Sequence, residues 1–197
     1  MRQGRKAVSR LLAAALAAGI LAAAAGAGWY WMFYRPCRLY EDCRGRRIDV
    51  ETMKRWEERA GDGSLGIVRM AGWRIGADET VASVSTGRWR QAETVWVWGD
   101  MELTDRGRLL WGRMGLAEEA DCCVISEELA RNLFGSVNVV GERLKTEDRM
   151  MTVVGVMEDD GEIIMIPAGE GMVESLSVEF NCRMGAEGKI KRLIEEY

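Results

Sequence analysis

The sequence predicts an α+β domain of mixed or antiparallel sheets, carried on one N-terminal transmembrane helix. Three observations predict it. An uncharged run from Leu11 to Tyr34 matches the roughly 20 residues a helix needs to cross a bilayer. Between residues 65 and 180 the chain is a succession of short apolar runs broken by Gly, Asp and Ser, the texture of strands. Separate stretches with helical spacing stand before, within and after that succession, which places helices on one face of a sheet.

The first element is the apolar run itself. Arg2, Arg5, Lys6 and Arg10 precede it, and such a cationic start favours the cytoplasm, so the expected order is a cytoplasmic N-terminus (1–10), a transmembrane helix (11–34), a juxtamembrane linker (35–48) and an extracytoplasmic domain (49–197). Arg35, Arg38, Arg44, Arg46 and Arg47 on the far side work against that bias. Trp29, Tyr30, Trp31, Phe33 and Tyr34 form an aromatic cluster of the kind that settles at the headgroup level and anchors the helix. Ala23-Ala24-Ala25 and Ala25-Gly26-Ala27 are also small-x-small sites, so a cleaved signal peptide is the competing reading; both readings export the rest of the chain.

Asp49 is placed to cap a helix through about Arg59, with Val50, Met53 and Trp56 at three-residue spacing and Gly61 to Gly63 as its stop. Gly66–Met70, Val81–Val84 and Thr94–Trp98 read as three strands. Gly99-Asp100 reads as a turn, and Met101–Leu116 as loop with at most a short helix. Cys122–Ile125 reads as a buried strand running into Ser126, an N-cap with Glu127 and Glu128 in the first turn behind it. Leu129, Leu133 and Phe134 form the apolar face of a two-turn helix, and Gly135 closes it in the left-handed conformation. Val139–Gly141, Met150–Val156 and Ile163–Ile166, the last halted by Pro167, are expected to be β-rich. Ser175–Phe180 alternates like a strand with one wet face, and Lys189–Tyr197 closes the chain as a helix presenting Ile190, Leu193 and Ile194.

Composition removes several function classes. A net charge of −4 leaves no basic surplus to displace counterions from nucleic acid. The chain has no histidine, the commonest general base and metal ligand, so most hydrolytic chemistry is disfavoured. Five cysteines stand without a CxxC pair, which gives no metal signal; a Cys37/Cys43 bridge could close a short loop in an oxidising compartment, while Cys122 and Cys123 read as buried strand residues. No GxxxxGK[ST] loop is present for ATP.

Val124–Gly135, then Val140-Gly141-Glu142-Arg143-Leu144, then Met151–Val156 resembles the extracytoplasmic core domain of MacB/FtsX-type ABC transporter permeases. In that family a strand and a helix ending in Leu-Phe-Gly lead into a Val-Gly-Lys-like turn and a strand ending in Val-Gly-Val. Here Glu142 replaces the usual lysine, and Ile164-Met165-Ile166-Pro167 is similar to a family strand that ends in proline. The motif residues are Ser126, Leu133, Phe134, Gly135, Gly141, Gly155 and Pro167, none of them catalytic. The resemblance implies a two-lobed domain, one lobe ferredoxin-like, that relays conformational change or contacts substrate and partner proteins. It also implies an ABC ATPase and multi-span permease subunits as partners, because relatives carry three further membrane helices and this sequence shows no second apolar span before Tyr197.

Residue chemistry adds little against that expectation. Glu158, Asp159, Asp160 and Glu162 could hold calcium, but lack DxDxDG spacing and read first as a solvated turn. Ser126 has a nucleophile's place between strand and helix, yet without GxSxG glycines or a histidine it reads as a cap. Eight tryptophans are many; each of Trp73, Trp89, Trp96, Trp98 and Trp111 reads first as core, with an exposed recognition patch as the other role. The expected function is therefore a non-enzymatic, cofactor-free transporter component at the plasma membrane, the alternative being a stand-alone tethered binding module for an envelope protein or small ligand.

Overall fold

The computed structural model describes residues 2–61, 63, 65–115 and 119–195, with side chains described from Leu16 onward. The N-terminal basic residues' side chains, Leu116 and the Glu196-Tyr197 end of the closing helix lie outside the described residues. Helix α1 (Arg2–Phe33) is followed by β1 (Cys37–Asp42), α2 (Val50–Gly61), β2 (Ile67–Ser83) and β3 (Trp89–Gly99). A short 3-10 helix (Met101–Thr104) leads to β4 (Leu109–Gly112), β5 (Cys122–Ser126), α3 (Glu127–Phe134) and β6 (Arg143–Lys145). β7 (Met150–Met157), β8 (Ile163–Pro167), β9 (Ser175–Phe180) and α4 (Ala186–Glu195) complete the order.

All nine strands join one mixed sheet in the order β1-β9-β2-β3-β8-β5-β7-β4, with β6 paired to β2 and β7. β3/β8 and β5/β7 are parallel and the other pairs antiparallel. One end carries α2 and α4 over a core of Trp56, Met53, Leu176, Phe180, Ile190 and Leu193. The other carries α3 over Leu129, Leu133, Ile125, Leu144, Val153 and Val156. A third cluster, including Met101, Leu103, Val97, Val124 and Met165, also packs on the sheet. The α+β class and the helical layers are those the sequence predicts, and the two lobes share the long β2/β3 ribbon.

Several elements differ from the sequence reading. The expected separate strands at Gly66–Met70 and Val81–Val84 are one 17-residue strand with a register shift between Ile75 and Asp78. Its glycines serve close packing rather than turns: a Cβ at Gly72 would meet Val173 at 2.8 Å and one at Gly76 would meet the Trp96 indole at 2.8 Å. Residues 37–42, assigned to a linker, form an edge strand with Cys37 opposite Phe180 and Asp42 opposite Ser175. A strand within Met101–Leu116 was not expected; Leu109–Gly112 pairs β7. Val139–Gly141 is a turn, and the adjacent strand is Arg143–Lys145. Ser175–Phe180 is a strand with the expected alternation, Leu176, Val178 and Phe180 buried and Ser175 and Glu179 half-buried, but its polar face is drier than expected because Ser177 is buried.

Candidate functional site

The most informative region is the joint between α1 and the sheet. The span Leu16–Phe33, 18 residues with no residue buried, is the one helix among the described residues long and apolar enough to cross a membrane. At 1.5 Å per residue it covers about 27 Å, close to the hydrocarbon thickness of a bilayer. Its last turns carry aromatic side chains one turn apart. Trp29 and Phe33 have ring centroids 4.6 Å apart, and Tyr30 stacks on Tyr34 at 5.8 Å. The Arg35 guanidinium lies 4.1 Å above the Trp31 ring. Trp29, Tyr30 and Trp31 stay about two-thirds exposed, a state that water disfavours and a headgroup layer accepts.

This end of the helix does not simply run out into a tether. The backbone N–H of Met184 donates to the Phe33 carbonyl at 2.9 Å, and that of Arg183 donates to the Arg35 carbonyl at 3.0 Å. The Cys182 thiol donates to the same Phe33 carbonyl at 3.3 Å. Carbonyls left without partners by the end of the helix are thus taken by the segment between β9 and α4. Four residues after Phe33 the chain enters β1, whose partner is again β9. Met32, Phe33, Arg35, Arg38, Arg183 and Met184 line a 960 Å³ groove at this joint.

The sheet beneath is cross-braced. Arg69 on β2 donates to Glu179 on β9 at 2.6 and 2.9 Å, to Asp100 at 2.8 Å and to Glu102 at 2.7 Å. Its hydrogen bonds to Glu102 and Glu179 hold the guanidinium proton still more firmly than usual. Arg38 on β1 adds an ion pair to Asp105 at 3.4 Å. Charges so placed fix geometry more than they add stability, since most are solvent-screened.

The possible Cys37/Cys43 bridge does not form: neither residue is in a disulfide, and they stand at the start of β1 and just past its end, with extended backbone between them. Burial raises the Cys37 thiol and pushes Cys43 up to about 11, and burial also raises Cys123, so these thiols are structural rather than nucleophilic. Cys122 and Cys123 are buried strand residues of β5.

The family-motif residues lie in the opposite lobe. Ser126 is fully buried, and its Oγ accepts from Leu129 N at 3.2 Å and from Ile163 N at 3.1 Å, binding α3 to β8. A serine held by two backbone donors inside the core has no substrate access. Leu133 is buried and Phe134 half-buried in the α3 core, and Gly135 (φ 75°) returns its N–H to the Arg131 carbonyl. Gly141 (φ 92°) donates to Val153 at 2.8 Å. A Cβ at Gly155 would lie 2.2 Å from the Arg113 carbonyl, so this glycine admits the β4 edge. Pro167 ends β8 opposite Val97. The acidic turn is tied up by protein partners: Glu158 pairs Arg108, Glu162 accepts from Asn132, and Asp159 accepts from Gly161.

Trp73 and Trp98 are core, Trp89 and Trp111 exposed, and Trp96 half-buried. Sequence reasoning missed Arg69, Arg183 and Met184. No local signal marks them, because their partners are brought in from the other end of the chain.

Among curated proteins none matches this sequence. Solved structures share the fold. The periplasmic region of MacB from Actinobacillus actinomycetemcomitans matches with a TM-score of 0.62 and 13% identity, over 81% of this chain and 81% of that one. The extracellular domain of the noncanonic ABC-type transporter YknZ from Gram-positive bacteria matches at 0.51 and 14%, over 71% and 81%. A permease-protein domain from Porphyromonas gingivalis matches at 0.51 and 18%, over 83% and 82%. The model of the MacB-like periplasmic core domain matches residues 44–185, and the chain belongs to that family.

Proposed function

We propose that this chain is a membrane-anchored, non-catalytic, extracytoplasmic part of an ABC transporter of the permease kind, passing conformational change between its helix and partner proteins. Family membership supports the transporter reading. Neighbours described as the periplasmic region of MacB and the extracellular domain of YknZ support an extracytoplasmic position. The observation that carries the relay is the pair of main-chain hydrogen bonds from Met184 and Arg183 to Phe33 and Arg35. A displacement of the helix end loads β1 and the entry to α4 together, because both are bonded to it.

In this reading residues 1–10 are cytoplasmic, 11–34 cross the plasma membrane once and the domain from 49 onward stands outside, with β1 added to it from the former linker. The partners are an ABC ATPase and multi-span permease subunits. The absence of histidine and the engagement of Ser126 by two backbone donors support a role without covalent chemistry.

Two measurements test it. Protease added to intact spheroplasts is expected to digest the domain while the cytoplasmic side stays protected; a protected domain overturns the topology. Affinity-tagged chain, extracted at native expression, is expected to bring an ABC ATPase with it. Met184→Pro removes the donor to Phe33, and is expected to leave the domain folded and inserted while weakening that association. Full association in this variant excludes the relay through the Met184–Phe33 main-chain bond.

A further inference from the structure

Where the two lobes meet, Trp96 on β3 packs against both the α2/α4 core and the α3 core. Its cross-strand neighbour on β2 is Arg74, whose guanidinium lies 5.5 Å from the Trp96 ring centroid. Arg149, from the β6–β7 connection, reaches the same ring at 5.0 Å. Arg74, Arg149 and Trp96 line one cavity of 580 Å³ together with Ala120, Pro167, Gly169 and Glu170. The indole is fixed in place because Gly76 leaves room for its edge.

Neither Arg74 nor Arg149 makes an ion pair or a hydrogen bond from its side chain among the described residues, in contrast with Arg69, Arg106, Arg113 and Arg131. Glu79 feels the charge of Arg149 through space, as it does those of Glu147 and Asp148, without an ion pair forming. Glu170, an exposed residue, is the one carboxylate among the described residues lining the cavity. Two like charges gathered at one half-buried ring repel each other, and the ring quadrupole offsets only part of that. An anion between them removes the repulsion, and the planar fork of each guanidinium suits two oxygens of one oxyanion. The cavity has the size of a small-ligand site.

We infer that this interlobe cavity binds one doubly charged oxyanion, a phosphate or a dicarboxylate, between Arg74 and Arg149 beside Trp96. The site is independent of the transporter reading: it rests on side chains of the folded domain alone, so its failure leaves that reading standing. Contacting residues of β2, β3 and the β6–β7 connection, the anion ties that connection to the shared β2/β3 ribbon.

The test is calorimetric titration of the full chain in dodecyl maltoside at fixed ionic strength, with inorganic phosphate, malonate and acetate as probes. One saturable site is expected for phosphate or malonate and none for acetate; the better of the two dianions identifies the head group. Phosphate binding is expected to weaken as pH falls through the second ionisation of the probe, where the dianion takes up a proton and loses one of its two charges. R74Q and R149Q are each expected to weaken binding about tenfold or more, and the double variant to abolish it. R149K, which keeps the charge but loses the fork, is expected to fall between. Thermal melting separates binding from a merely structural role. If the guanidiniums only prop Trp96, the double variant melts lower in anion-free buffer; if they hold an anion, its melting is unchanged or raised and the dianion stabilises wild type alone. No saturable heat with either dianion, or heat that survives in the double variant, overturns the site.

Discussion

In the α3 lobe, neighbours in sequence are neighbours in space: β5 turns directly into α3 across Ser126, and β6 pairs with β7 a few residues on. The lobe beside α1 is assembled from the two ends of the chain. β1 pairs with β9, and the end of α1 and Arg35 just beyond it are bonded to Met184 and Arg183. Local closure costs little loop entropy, while joining the chain ends requires everything between them to be in place. The α3 lobe is therefore expected to order first, with the membrane-side lobe completed by it.

Four substitutions break or sharpen that contrast. Trp56→Ala empties a fully buried site in the membrane-side core and is expected to cost about 3–5 kcal/mol by denaturant midpoint. Because one sheet runs through both lobes, hydrogen exchange should show α3 amides losing protection along with those of α2. Protection retained in α3 alone means that the lobes unfold separately. Ser126→Ala leaves the buried Ile163 N–H without its acceptor and removes the α3 cap, an expected loss of about 2 kcal/mol. Folding kinetics should show it chiefly as slower folding if the α3 lobe leads.

Gly155→Ala places a methyl where the Arg113 carbonyl sits, at an expected cost of about 1–3 kcal/mol, read as increased exchange of β4 amides. Asp49→Ala removes the acceptor for Thr52 N at 2.8 Å, with an expected loss of about 1 kcal/mol at neutral pH. The Thr52 N–H holds the Asp49 carboxyl below its ordinary 3.8. Its contribution is present above that pH and is lost as pH falls through the lowered value. Wild type and variant should therefore converge in acid, and a difference that persists there excludes the carboxylate as its source.

The α3 lobe was also the legible one. Ser126, the Glu pair behind it and Gly135 are local signals, and each governs only the chain within a turn of itself. Trp56 and its spacing likewise exposed α2. What the sequence hid was set by partners far along the chain. Cys37–Asp42 looks like a linker because it lies among the arginines that follow the apolar run and its mate, β9, comes from the other end of the chain. Gly72 and Gly76 look like breaks because a missing side chain marks equally a turn or the close approach of Val173 and Trp96. The Arg74–Trp96–Arg149 grouping needs three separate segments in register, and no spacing in one segment encodes it.

The 17-residue β2 is the longest strand, roughly 56 Å if fully extended, and it is paired along most of its length with β3. A two-ply ribbon of that kind is stiff against stretching but yields in torsion where its ladder slips, between Ile75 and Asp78. Under the proposed relay, a twist applied beside α1 is expected to be partly taken up at that irregularity before it reaches α3, so the stiffness of one ladder slip would set how much of the stroke arrives.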